Sequence, residues 1–408
     1  MNSNSTNKIS FDNTEYAFAY KSDRDLKKAH FLFSVMGKPA LVKFGLNFMP
    51  FAIKWKLPFV KSLIRNTIFS QFVGGETLEE TKPVVDNLEK YNVNVILDYG
   101  VEGGEGEESF DASTKEFYSV INYASSQPNI PFISIKITGV SRFDLLEKID
   151  ELMLTTKHED VLERYQDAIS KLDTSQSAEW RRVVDRVMSI GKLAFEKNVS
   201  LLVDAEESWI QEPVDALTLL MMKSFNQRKC IVYNTYQLYR HDRLSFLKQN
   251  LTLAEKNNFL LGAKIVRGAY MEKERARAIE KAYNSPIQNT KEDTDQDYNN
   301  AVAFCISNID KIAVILASHN EYSNLYATQL MDEKHLEFNH PHLHFSQLYG
   351  MSDIITFNLS QSGCSVSKYL PFGPIKDIIP YLMRRAQENS SVAGQTGREL
   401  GLIKKELK

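Results

Sequence analysis

Near its carboxyl end the chain reads Tyr369-Leu-Pro-Phe-Gly-Pro-Ile-Lys-Asp-Ile-Ile-Pro-Tyr-Leu-Met-Arg384-Arg385-Ala-Gln-Glu388-Asn-Ser390, most of a strand–turn–helix unit. Ser365 to Leu370 supplies the strand, the Pro/Gly pair turns the chain, and a helix starts near Pro374. Ile375, Ile378, Ile379, Leu382, Met383 and Ala386 recur at three and four residues and make one apolar stripe. Arg384 and Glu388 fall nearly opposite that stripe, and Arg385 falls on its flank. Adjacent guanidinium groups suit a carboxylate clamp, because each offers a planar fork of donors. The same residues also read as a solvated face with an i,i+4 Arg–Glu pair, worth roughly a few tenths of a kcal/mol. The segment alone leaves both readings open.

Working backwards, the unit repeats. Short β-rich runs at Val93–Tyr99, Phe132–Thr138, Ser200–Ala205, Ile231–Tyr236, Gly262–Arg267, Ala313–Ser318, His342–Gln347 and Ser365–Leu370 alternate with longer amphipathic stretches. Such alternation predicts βα units on a parallel sheet, and eight of them match a (βα)8 barrel of the TIM type. An open doubly wound sheet is the competing architecture, but it more often has fewer strands. One connection is too long: residues 139–199 read as two or three charged helices, Ser177 to Lys197 among them, inserted between the second and third strands. The expected organisation is therefore an N-terminal helical arm at 1–80, the barrel at 81–392 and a C-terminal tail at 393–408.

Composition excludes several classes. The 408 residues are 43% hydrophobic and 25% charged with a net charge of −3, ordinary for a globular protein and lacking a basic block for nucleic acid. Cys230, Cys305 and Cys364 stand far apart, which argues against a disulfide framework or a zinc site. Met1 to Phe18 is polar with two acidic residues, unlike a signal or transit peptide, which favours a cytoplasmic setting. Within the arm, residues 31–65 carry five lysines and one arginine, no acid, and many large apolar side chains. They read as short helices capping a core with their lysines in water, or as a cationic surface for peripheral contact with the inner face of an anionic membrane.

In a barrel, polar residues at strand carboxyl ends converge on one face. Asp98, Lys136, Asp204, Gln237, Arg267, His319 and Tyr369 occupy such ends, and the last helix adds Arg384 and Arg385. Each alone could cap a helix or satisfy a core; so many together point to a site, since buried charge is costly unless paired or used. The loop Gly100-Val-Glu-Gly-Gly-Glu-Gly-Glu-Glu-Ser109 holds four glutamates, which would repel phosphate. It reads as a mobile lid or as an acidic surface loop.

Five ordered motifs then resemble proline dehydrogenases: Leu202-Val-Asp-Ala-Glu-Glu207, Gly262-Ala-Lys-Ile-Val-Arg-Gly-Ala-Tyr-Met-Glu-Lys-Glu-Arg275, Ala317-Ser-His-Asn-Glu321, Gln347-Leu-Tyr-Gly-Met351 and Tyr369 with Arg384-Arg385 and Glu388-Asn389. The likeness spans most of residues 90–392 and is nearest the single-function, mitochondrial-type branch. It implies a distorted (βα)8 barrel holding FAD, which oxidises L-proline to 1-pyrroline-5-carboxylate by hydride transfer from C5 to the flavin N5. Electrons would pass to a quinone, and pyrroline-5-carboxylate dehydrogenase would take the product. By the same resemblance Arg384, Arg385 and Lys136 hold the proline carboxylate, with Tyr369, Leu348 and Tyr270 around the ring. Asp204, Gln237, Lys264, Arg267, Gly268, Ala269, Tyr270, Ser318, His319 and Glu388 contact or support the flavin. Asp204, Lys264 and Lys136 are the expected catalytic group, and Glu102 matches a loop glutamate that pairs with an arginine to close the site. No metal is implied.

The chain departs from the family pattern in places. Lys264 stands where many bacterial relatives have arginine, which keeps the charge and loses the fork. Ser318 replaces the usual threonine. Tyr369 stands where hydroxyproline-oxidising relatives have a small residue, which favours proline. Oxidation of 4-hydroxyproline and a non-catalytic anion-binding barrel are the alternative functions.

Overall fold

The computed structural model describes residues 9–38, 43, 60–100, 104–391 and 393–407, and eight of its segments are strands. β1 (Asn94–Tyr99), β2 (Phe132–Ile135), β3 (Ser200–Val203), β4 (Val232–Gln237), β5 (Leu261–Val266), β6 (Ile312–Ala317), β7 (Leu343–Leu348) and β8 (Val366–Phe372) close in that order into a barrel. The near-continuous apolar runs follow from this, because strands in such a sheet are covered on both faces; β3 and β4 are buried at every position. Ile135 pairs with Val203, Val203 with Asn234, and Asn234 with Ala263. One residue further on, the same registers set Lys136, Asp204, Thr235 and Lys264 at a common level. Three of these four side chains are charged.

All eight expected strands are present, with two informative differences at their ends. β2 stops at Ile135 instead of Thr138, and Ile137–Gly139 forms a single 3-10 turn. There the Thr138 N–H and hydroxyl both donate to the Glu206 carboxylate, at 3.2 and 2.5 Å, so a side chain takes the bonds a ladder would have used. β8 continues through Pro371 to Phe372, because the carbonyls of these residues accept from Gly74 N at 2.8 Å and Gly100 N at 3.0 Å. Proline lacks a donor, but its acceptor still builds structure.

By internal packing the chain divides into two units. The first comprises Met1–Gly100, His319–Thr328 and Phe345–Lys408; the second comprises Val101–Ser318 and Gln329–His344. In the second unit the long connection forms three helices, Phe143–Leu154, Val161–Ser170 and Thr174–Lys197. The last starts ahead of Ser177 because Asp173 and Gln176 make a reciprocal capping box. Buried charge anchors these helices to helix Gln211–Phe225: Arg164 donates to Glu212 at 2.6 Å and Glu212 N donates to Asp150 at 2.9 Å. Arg243 completes the cluster on Asp215 at 2.7 Å.

In the first unit, helices Thr14–Phe18 and Asp23–Met36 bury Ala17, Phe18, Leu26, Ala29, Phe33 and Met36, while Lys27 and Lys28 stay exposed. Helix Ala393–Glu406 lies against helix Asp23–Met36. Of the basic stretch 31–65, residues 39–42 and 44–59 lie outside the described residues; Arg65 at its end donates to Glu76 and Glu80 at 2.8 and 2.9 Å. The centre of this unit is ionic. Asp353 lies 2.9 Å from Lys21 Nζ and 2.8 Å from Lys368 Nζ, and accepts from the Tyr20 hydroxyl at 2.9 Å. Lys368 is fully buried and donates to the Met351 carbonyl at 2.6 Å. Both lysines hold the Asp353 carboxyl well below its ordinary range against the opposing effect of burial, which is the largest single influence on it.

Two outcomes follow from these charges. Asp353→Ala would strand the Lys368 ammonium in an apolar setting, so urea denaturation should show a loss of about 3–5 kcal/mol. Burial pushes the carboxyls of Glu206 to about 7 and Asp150 to about 8. The folded chain then keeps protons that the unfolded chain has already lost, so the stability they contribute is full below about pH 4 and lost as pH rises through 7 and 8. Burial also pushes His344 down to about 3, which acts only below its unfolded pKa of about 6.5. Above that pH the carboxyls set the slope. Scanning calorimetry should record a Tm falling by several degrees from pH 6.5 to 8.5, with a shallower fall in Glu206→Gln.

Candidate active site

The second unit gathers one group of strand-end residues. Lys136 follows β2, Asp204 follows β3 and Lys264 lies in β5 at the level set by the register. Lys136 Nζ donates to Asp204 Oδ2 at 3.3 Å, and Lys264 Nζ donates to Asp204 Oδ1. All three are at most 8% exposed, so the ion pairs are shielded from water, and removing any one partner would leave a buried charge unmatched. Two ammonium groups thus converge on one carboxylate. Lysine at position 264 reaches Asp204 as a point charge and needs no planar fork for that contact.

Next to the triad, the β5 end carries a second cationic group. Arg267 Nε donates to Asp295 Oδ1 at 2.6 Å, and Nη1 donates to the Ser318 hydroxyl at 2.7 Å. Its guanidinium lies 4.3 Å from the centre of the Tyr298 ring, a cation–π contact that fixes its plane. Gly268 has φ +136°, and a side chain there would meet the Tyr239 ring at 2.5 Å, so only glycine fits this bend. Gly268 and Ala269 are exposed and Tyr270 half-buried, and the Tyr270 carbonyl accepts from Glu274 N at 2.9 Å as the next helix begins. Gln237 ends β4 and is buried, with its Oε1 lacking a hydrogen-bond partner among the described residues. A buried orphan acceptor of this kind calls for a donor that the protein itself does not provide.

Within the first unit, Leu348 and Tyr369 are direct partners across β7 and β8, and Tyr349 N donates to the Tyr369 carbonyl at 2.9 Å. His319 Nδ1 lies 2.9 Å from the Ser352 hydroxyl. Helix Ile375–Ser391 buries Ile375, Ile378, Ile379, Leu382 and Ala386, as its stripe predicts. Arg384 is partly exposed, whereas Arg385 is 8% exposed with its guanidinium 5.4 Å from the Tyr381 ring. A solvated face is therefore the wrong description of Arg385. Glu388 falls in the helix, but its side chain is outside the described residues, and so is Glu102. Of the glycine-rich loop, Glu107 and Glu108 belong instead to helix Glu107–Ser125, where Arg182 donates to Glu107 at 2.7 Å and Arg186 also pairs with it. These arginines hold the Glu107 carboxyl down at about 2.

Residue patterns alone had passed over several of these charges. Glu206 lies in a quoted motif beside Asp204, yet only the structure reveals its grip on Thr138. Asp295 has no signal of its own, because it reaches Arg267 from helix Lys291–Ser307. Lys368 could have been suspected as a charged residue between Val366 and Leu370 on one face of an otherwise buried strand.

Comparison with known proteins places the chain in a family. The profile of the family described as "Proline dehydrogenase" matches residues 81–398. The chain is 35% identical over 372 residues to "Proline dehydrogenase 1, mitochondrial" of Dictyostelium discoideum, covering 85% of this chain and 65% of that one. It is 32% identical to the Arabidopsis thaliana protein of the same name, over 86% of this chain and 75% of the relative. "Hydroxyproline dehydrogenase" of Xenopus laevis is 29% identical, over 96% and 88%. Among solved structures, proline utilization A from Bdellovibrio bacteriovorus superposes with a TM-score of 0.73 at 18% identity, covering 93% of this chain and 42% of that one. That likeness speaks for the barrel. With its profile matched over most of its length, the chain belongs to the proline dehydrogenase family.

Proposed function

We propose that this chain uses FAD to oxidise L-proline to 1-pyrroline-5-carboxylate and delivers the electrons to a quinone. The observation that carries the reading is the buried Lys136–Asp204–Lys264 triad, set at the strand ends of a chain whose residues 81–398 match the family. The donor set suits a flavin dinucleotide. Arg267 beside the exposed backbone of Gly268 and Ala269 offers positive charge and N–H groups to a phosphate, and the orphan Gln237 Oε1 awaits a donor. FAD, when bound, supplies the hydride acceptor.

Everything else is work for the protein's own side chains. Arg384, Arg385 and Lys136 take the proline carboxylate, the role the family resemblance gives them, and so restrict the ring to one orientation. Leu348 and Tyr369, neighbours across two strands, supply the packing surface for that ring. The amine must be neutral before hydride can leave, and cationic neighbours favour its deprotonation by lowering the ammonium pKa. Lys264 and Arg267 are such neighbours, with Asp204, Asp295 and Ser318 holding them in place. Residues 31–65, rich in lysine, are assigned peripheral contact with an anionic membrane, where a quinone would reside.

The purified protein should show a flavin spectrum that bleaches on anaerobic addition of L-proline; a protein that cannot be reconstituted with FAD would sink the proposal. Arg384→Ala and Arg385→Ala should each lower kcat/KM for proline roughly ten- to a hundredfold while flavin is retained, the loss expected of a charge-assisted contact worth about 1.5–3 kcal/mol. The same assay separates the substrates. Tyr369 should give a large preference for proline over 4-hydroxyproline, and Tyr369→Ser should narrow it; equal kcat/KM values in the wild type would favour the hydroxyproline reading instead. Vesicles of anionic lipid should co-sediment the wild type but not a variant with Lys38, Lys43, Lys54 and Lys56 changed to glutamine, and equal binding of both would remove the arm from this role.

A further inference from the structure

Two consecutive residues of helix Ala393–Glu406 reach the segments on either side of His319's contact. Arg398 Nη2 donates to Glu321 Oε2 at 2.5 Å, and its Nε pairs with Oε1, which ties the helix to the chain two residues beyond His319. Glu399, only 6% exposed, accepts from Ser352 N at 2.6 Å. Ser352 is the residue whose hydroxyl lies 2.9 Å from His319 Nδ1. It sits in the left-handed region at φ +51°, ψ +42°, immediately before helix Asp353–Gln361. A non-glycine residue pays a cost there and holds the conformation only where its surroundings dictate it.

Those surroundings are the Glu399 carboxylate on one side and Asp353 on the other, itself held by Lys21 and Lys368. Asp353, Lys368 and Lys21 are the charged groups that bear on Glu399. A carboxyl this deeply buried has one evident task, to receive the Ser352 N–H. We propose that Glu399 is a positioning residue for the flavin site: it holds the Ser352 turn, whose hydroxyl fixes the ring plane of His319, while Arg398 fixes the chain beyond that histidine. The inference rests on the proposed flavin role of His319. It gives residues of the last helix, Glu399 lying beyond the stretch matched by the family profile, a part in cofactor binding.

The test titrates FAD into apoprotein of the wild type, Glu399→Ala, Ser352→Ala and the double variant. Fluorescence quenching gives Kd, and circular dichroism gives Tm. Each single change should weaken FAD binding about tenfold, the low end of what losing an orienting partner costs at a bound group. The double variant should lose no more than the worse single one, because both changes cut the same chain of contacts. A merely structural Glu399 would lower Tm and leave Kd unmoved, which would overturn the proposal, as would losses that multiply in the double variant. Should Glu399→Ala fail to fold, Ser352→Ala and Glu399→Gln decide. The glutamine oxygen still accepts from Ser352 N–H, so its Kd should stay within about twofold of wild type. Unchanged affinity in Ser352→Ala overturns the inference. A wild-type protein that binds no FAD overturns the proposed function itself, and that failure is recognised in the wild-type arm alone.

Discussion

A carboxylate buried at the end of a parallel strand must be paired, and Asp204 is paired twice. Removing a charge from water costs several kcal/mol, repaid only by close partners and good geometry. The partners come from β2 and β5 because strand registers, rather than sequence proximity, decide which residues share a level. Lys136 and Lys264 are 68 and 60 residues from Asp204 along the chain, yet both contact it. Neither lysine could be dispensed with cheaply. Losing either one would leave the other charges of the triad buried and unmatched.

The same physics governs the first unit, where Lys368 points into a fully buried site and meets Asp353. Adjacent strand residues face opposite sides, so Lys368 and Tyr369 have separate duties: one is a structural charge, and the other is half-buried beside Leu348. A single residue's slip in β8 would exchange them. The ionic anchor on Lys368 therefore helps to fix the register that presents Tyr369.

How much of this was readable in the residues depends on range. The helix after Tyr369 was legible because its apolar period is local, and helix Ile375–Ser391 stands where that period placed it. Strand ends were less so. Thr138 reads as strand by propensity, but Glu206, 68 residues away, diverts its bonds. Arg385 shows the same limit: its place on the flank of the stripe was legible, while its burial depends on packing that a wheel cannot display. Networks such as Arg267–Asp295 and Glu399–Ser352 leave no periodic trace, since one hydrogen bond asks for one residue at one distance and nothing of its neighbours.

That limit bears on what counts as the site. Residues 1–80 and 393–408 look separable from a barrel when judged by strand rhythm, because their described residues contribute no strand. Judged by buried charge, they are not. Tyr20 and Lys21 from the amino-terminal side converge on Asp353, and Glu399 from the last helix holds the residue next to it. An acid placed between two lysines and a hydroxyl needs them all, since losing one leaves the remainder buried with charge unmatched. The arm and the last helix thus belong to the electrostatics of β7 and β8 as much as the strands do, and a boundary drawn at the last βα unit would cut through ion pairs rather than through a linker.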